Sequence, residues 1–300
     1  MRLLPLALVV ILLAAGWGGD RHGAPPAKGT LAAVLDLPGP EIALLPGTSD
    51  YAVGTVRVTF LLIDSHSKSI ERPRARVWVG TKLDAPTVLS TQATLEPIGV
   101  PGISGAAVGD VTRIYVARFR LARPGKYTLV AEPEGVRIQG VATIQVAKRP
   151  KAPAVGDRAI PSRTPTLATA HGDVSALTTK VPPDWTLLGY SVAGSLAAHA
   201  PFVLVFATPK YCSSRTCGPV VDVAQAVQKH FRGRGGLRFI HVEIYQDNNP
   251  TLGVNRWVKE WRLPTEPFVF LVGRDGRIRA RFEGSVSVAE LSAAVRATLL

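Results

Sequence analysis

The stretch Pro201-Phe-Val-Leu-Val-Phe-Ala-Thr-Pro-Lys-Tyr-Cys-Ser-Ser-Arg-Thr-Cys-Gly-Pro219 decides how this chain is read. It opens with an unbroken apolar run, the mark of a strand buried on both faces. The run ends in a loop carrying Cys212 and Cys217, the only two cysteines in 300 residues. Beyond Pro219, Val220 to Phe231 has helical spacing. Proline suits the first turn of a helix, where its missing N–H has no partner to lose. The helix is therefore expected to begin near Pro219, with both cysteines in the preceding loop. On one continuous helix, five positions turn by about 500° and would leave the two side chains about 140° apart, too divergent to bond. A loop removes that obstacle.

Outward from this unit, β-like and helix-like segments alternate. Strand-like Leu237–Tyr245 is followed by helix-like Val254–Trp261, strand-like Phe268–Val272 and Ile278–Glu283, and helix-like Val288–Leu299. Arg274-Asp-Gly-Arg277 is a two-residue hairpin signal, because Asp-Gly accepts positive φ at low cost. Alternating β and α with a late hairpin implies an α/β sheet for residues 184–300.

The first half has a different texture. Thr55–Ile63, Ala75–Val79, Arg113–Leu121, Lys126–Ala131 and Gly140–Val146 alternate polar and apolar residues, with Gly/Pro punctuation such as Arg123-Pro-Gly125. Period-two patterning of this kind implies antiparallel β-sheet, here an all-β sandwich over residues 35–148. A Pro-rich, basic stretch at 149–183 separates the halves. At the N-terminus, Arg2 followed by apolar Leu3–Ala15 and small Ala14-Ala15-Gly16 implies an export signal or anchor over residues 1–19. Thirteen apolar residues are too few to cross a bilayer core of about 30 Å as a helix. A Gly/Pro/Ala-rich segment, 20–34, is expected to be a flexible spacer. Export would place the cysteines where disulfides persist, in the cell envelope or outside the cell.

Composition sets the remaining bounds. Lys and Arg number 35 against 22 Asp and Glu, a net charge of +13. The basic residues are scattered, which is compatible with an anionic membrane surface or an acidic partner. No nucleic-acid motif accompanies them. No phosphate loop, HExxH or Ser/His/Asp arrangement is present, and no cofactor is implied. His241 and Glu243 alternate on one strand face as a hydrogen-bonded pair or a proton relay. Cysteines with a single histidine would supply only three metal ligands, so no metal is assigned.

Three features of the C-terminal half resemble the thioredoxin superfamily, especially its secreted TlpA/ResA-like branch. They are the strand–Cys–helix unit with its Cys217-Gly218-Pro219; Leu263-Pro-Thr-Glu-Pro-Phe-Val-Phe270, with Pro267 at the place of the family's cis-proline; and the closing Phe270–Gly284 hairpin. In the first half, Pro124-Gly-Lys-Tyr-Thr-Leu129 resembles a late strand of immunoglobulin-like domains, where a tyrosine braces the turn. Together the resemblances imply an immunoglobulin-like β-sandwich followed by an α/β thioredoxin-like fold. They imply thiol–disulfide exchange with extracytoplasmic protein thiols and disulfides, with Cys212 attacking and Cys217 resolving. Lys210 and Arg215 would tune the thiolate, and Pro267, Glu266 and Tyr211 would meet the substrate. This chain has four residues between its cysteines where that family has two. The wider spacing also resembles a peroxiredoxin of the bacterioferritin-comigratory type, in which Cys212 would be peroxidatic. A third reading is a non-enzymatic surface module stapled by a Cys212–Cys217 disulfide, whose six-residue ring would stabilise by roughly 2 kcal/mol.

Overall fold

The computed structural model describes residues 27–36, 39, 41–104, 111–137, 139–212 and 217–300. The export segment 1–19, the first part of the spacer (20–26) and Arg215 lie outside the described residues. The spacer's end is structured: Leu31–Leu35 is a one-turn helix, α1, capped by the Thr30 hydroxyl, which accepts from the Ala33 N–H at 3.1 Å. Leu31 is fully buried against Gly80, where an added Cβ would stand 2.8 Å from the Leu31 side chain.

Eight strands follow: β1 (Glu41–Pro46), β2 (Tyr51–Ala52), β3 (Gly54–Ile63), β4 (Arg74–Gly80), β5 (Leu89–Pro97), β6 (Arg113–Leu121), β7 (Gly125–Pro133) and β8 (Gln139–Ala147). Seven form a closed ring in the order β1-β3-β6-β5-β4-β7-β8, and β2 adds to β8. The interior is filled from alternate positions: Val56, Val58, Phe60 and Leu62 of β3, Tyr115, Ala117 and Phe119 of β6, Val77 and Val79 of β4, and Tyr127 and Leu129 of β7. That alternation is the period-two pattern of the sequence, turned inward by the pleat. The Tyr127 hydroxyl donates to the Arg123 carbonyl at 2.9 Å, bracing the turn into β7.

The ring corrects the expected immunoglobulin-like sandwich. A sandwich keeps two sheets with open edges. Here β1 pairs antiparallel with β3 and parallel with β8, so first and last strands meet and the edges vanish. The sequence reading had no strand at β1 or β5, which left closure without its hinge pieces.

The C-terminal residues form a small four-stranded sheet, order β10-β9-β11-β12, from β9 (Phe202–Phe206), β10 (Arg238–Val242), β11 (Phe268–Val272) and β12 (Ile278–Glu283). Central β9 pairs parallel with β10 and antiparallel with β11. Its even and odd residues enter different cores. Val203 and Val205 pack with α3 (Cys217–His230) and α5 (Val288–Thr298); Phe202, Leu204 and Phe206 pack with Trp261 and α2 (Val192–Ala197). Burial on both faces explains the unbroken apolar run. Gly276 (φ +74°) closes the β11–β12 hairpin at the Asp-Gly signal.

The expected α/β thioredoxin-like domain is also corrected. The described chain is mostly β, dominated by the seven-stranded ring, and the second sheet carries few helices. Of five α-helices, α1, α2 and α4 (Arg256–Glu260) span only five or six residues. Prolines at 150, 153, 161, 165, 182 and 183 leave the segment before α2 without a strand and with a single 3-10 turn, Trp185–Leu187. Proline removes a backbone donor and blocks helix continuation, so this stretch adds no layer.

Two polar seams join barrel and sheet. In one, Arg57 of β3 reaches Glu290 of α5 through two bonds of 2.7 and 2.8 Å, and donates to the Glu283 and Ser285 carbonyls. Glu283 in turn accepts from the Ser49 and Asp50 backbone, and Arg281 pairs with Asp50 at 2.8 Å. In the other, the Ser104 hydroxyl donates to Asp222 of α3 at 2.9 Å, and Lys180 pairs with the same carboxylate at 3.1 Å. Gly99 lies against Pro219 there, so a barrel loop is seated at the start of α3.

Candidate functional site

β9 ends at Phe206, and the chain turns through Thr208-Pro209 to Cys212 before α3 begins at Cys217. The helix starts two residues earlier than the proline suggested, with Pro219 still inside the first turn, where no backbone donor is lost. Cys212 is outside the helix and half-buried, whereas Cys217 is fully buried among Val205, Val220 and Val221. No disulfide joins the two.

The sulfurs are close. The Cys217 N–H donates to Cys212 Sγ at 3.2 Å. The first N–H groups of a helix lack intrahelical acceptors and carry the positive end of its dipole. A sulfur placed there is favoured as an anion. The Cys217 thiol is held far above the ordinary thiol range. Its hydrogen bond to Cys212 is the largest cause, followed by burial and the charge of Cys212; a backbone bond at Thr208 opposes them, and Glu266 adds a little to the rise. The neighbouring Cys212 sulfur and burial thus favour the protonated form of Cys217. Glu266 completes the cluster: a carboxylate oxygen and the two sulfurs lie within 4.8 Å of one another. Glu266 is half-buried, and the Glu266–Pro267 peptide bond is cis.

The remaining sequence candidates sit around this core. The Tyr211 ring meets Tyr245 edge-on with centroids 6.4 Å apart. Lys210 is exposed, with its ammonium over the Tyr211 ring at 5.2 Å and its backbone N–H on the Thr179 hydroxyl. That places its charge on the aromatic face. Pro267 is buried at the head of β11. His241 and Glu243 do not pair with each other. His241 Nε2 lies 3.0 Å from the Ala207 carbonyl, and Glu243 accepts from the Thr179 N–H and hydroxyl. Both are almost fully buried; the second Glu243 oxygen, Oε2, is buried without a hydrogen-bond partner.

Sequence reasoning missed Tyr245 as a neighbour of the sulfurs. Its hydroxyl is pushed up first by burial, then by Glu266, Cys217 and Cys212. It missed Val100 too, which packs on the same apolar cluster as the cysteines from the barrel side. Neither carried a local signal, since both arrive through tertiary packing. No protein-family model and no curated protein matches the chain.

Proposed function

We propose that the Cys212/Cys217 pair performs thiol–disulfide exchange with proteins outside the cytoplasm. The observation that carries this reading is the asymmetry of two adjacent sulfurs. Cys212 is half-exposed and accepts the Cys217 N–H at the head of α3, while Cys217 is buried and holds its proton. Export rests on the N-terminal segment Arg2–Gly16.

The chemistry balances as follows. The Cys212 thiolate attacks one sulfur of a substrate disulfide, forming a mixed disulfide and releasing the other sulfur as a thiolate, which takes a proton. Cys217 then loses its proton and attacks Cys212 Sγ. The mixed bond breaks, the second substrate thiol leaves, and a Cys212–Cys217 disulfide remains. Two electrons pass from the dithiol to the substrate, and the reverse sequence oxidises a substrate dithiol. Glu266 borders the sulfurs, so an acidic partner segment would meet the like charge of its carboxylate there.

The test is capture. In the exporting host, Cys217→Ser should accumulate mixed disulfides through Cys212, since nothing resolves them. Cys212→Ser should accumulate none. Equal destabilisation of both variants with no captured partner overturns the reading and leaves a structural disulfide.

A further inference from the structure

We propose that Cys212, Cys217 and Glu266 form a binding site for a thiophilic divalent cation of the Zn2+ kind, with an exogenous fourth ligand. The site shares its sulfurs with the exchange reading but does not depend on it. Counting cysteines and histidines in the sequence yields too few ligands, because Glu266 is 49 positions beyond Cys217. The fold brings it back: β11 pairs with β9, so the residues just before Phe268 lie beside the loop that leaves Phe206.

The geometry is close to a coordination sphere. One ligand atom from each residue lies within 4.8 Å of the other two. Around tetrahedral Zn2+, with Zn–S near about 2.3 Å and Zn–O near about 2.1 Å, sulfurs stand about 3.8 Å apart and sulfur and oxygen about 3.6 Å. Contraction by about an ångström at most reaches that arrangement. Cys212 lies outside α3 and Cys217 heads it, so the two sulfurs stand on separate elements. Chemistry supports the same conclusion. A divalent cation would take the place of the Cys217 proton and balance the negative charge of the two sulfurs and the carboxylate gathered there. Two soft donors and one hard donor suit Zn2+ or Cd2+ and disfavour Mg2+ or Ca2+. The half-exposed flank of Cys212 admits the fourth donor, a water or a thiol. Three protein ligands with an open position is an arrangement that admits exchange of that fourth ligand. A bound cation would also occupy both sulfurs and hold the pair reduced.

The experiment titrates Cd2+, then Zn2+ in competition, into the reduced full chain under anaerobic conditions. The expected result is a sulfur-to-cadmium charge-transfer band in the ultraviolet saturating at one equivalent per chain, displaced by Zn2+ and unaffected by Mg2+. Cys212→Ser and Cys217→Ser should each lose the band's saturation at one equivalent. Glu266→Gln, which keeps the side-chain shape, should retain its circular dichroism and bind at least about tenfold more weakly. Absence of the band, saturation at one ion per two chains, or Glu266→Gln binding as tightly as the parent would each overturn the proposal. No substrate is present, so these failures leave the exchange reading standing. Failure of partner capture leaves the metal site standing in the same way.

Discussion

Replacing Arg57 with alanine tests how the barrel is fastened to the sheet above it. Arg57 and Glu290 have only 11% and 9% of their side chains exposed. Removing one partner of a buried ion pair costs about 3–5 kcal/mol, because the other charge stays desolvated and uncompensated. Two features set the value within that range. Arg118, half-exposed, also contacts Glu290 and keeps part of the compensation. Against this, the Glu283 and Ser285 carbonyls lose their donor, at about 1 kcal/mol each. We expect a loss of about 3 kcal/mol, a fall in Tm of about 6–12 °C for units of this size. Urea denaturation and calorimetry on the full chain measure it. The double variant Arg57→Met with Glu290→Leu should recover most of the loss, since apolar replacement of a whole buried pair is often neutral. A loss below about 1 kcal/mol, or a double variant no better than the sum of the singles, would refute the account of this seam.

Further outcomes follow from the cysteine cluster and the core. Cys217 is raised above the unfolded thiol's pKa of about 8.5. The folded chain therefore keeps a proton that the unfolded chain releases, and stability falls as pH rises past that value. Between about pH 8.5 and 10 the parent should lose up to about 1.4 kcal/mol per pH unit more than Cys217→Ser. Parallel pH profiles for the two would remove the proton from Cys217. Trp261 is fully buried against Phe206 and Phe270, with centroids 5.5 and 4.8 Å away. Trp261→Ala should cost about 3–5 kcal/mol in denaturant melts, and a cost under about 1 kcal/mol would mean that this face of the sheet is not the core described.

Local elements were readable where burial writes a period into the chain. Val56, Val58, Phe60 and Leu62 alternate because they line a barrel, and Phe202–Phe206 does not alternate because both its faces are covered. The Asp275-Gly276 turn was readable because its backbone needs positive φ. Architecture was not. Closure of the ring depends on β1 meeting β8, a pairing of residues about 100 apart that no local pattern encodes. A sandwich and a barrel share the same strand texture. In the C-terminal half, a short motif around Cys217 and Pro267 suggested a family fold that the small, helix-poor sheet does not bear out. The site divides in the same way. Cys212 and Cys217 stood out by count and spacing, while Tyr245 comes near the sulfurs, and Val100 joins their apolar cluster, only through packing. Glu266 was noticed for its place before Pro267, and its closeness to both sulfurs came from the β9–β11 register.

The account turns on whether the Cys212–Cys217 pair exchanges or only braces its loop, and its reduction potential decides this most directly. Equilibrating the full chain against glutathione buffers, with the oxidised fraction read by thiol labelling, gives the value. Exchange predicts a potential between about −270 and −120 mV, the range of proteins that trade disulfides. A potential below about −300 mV, where structural disulfides lie, would contradict the central claim.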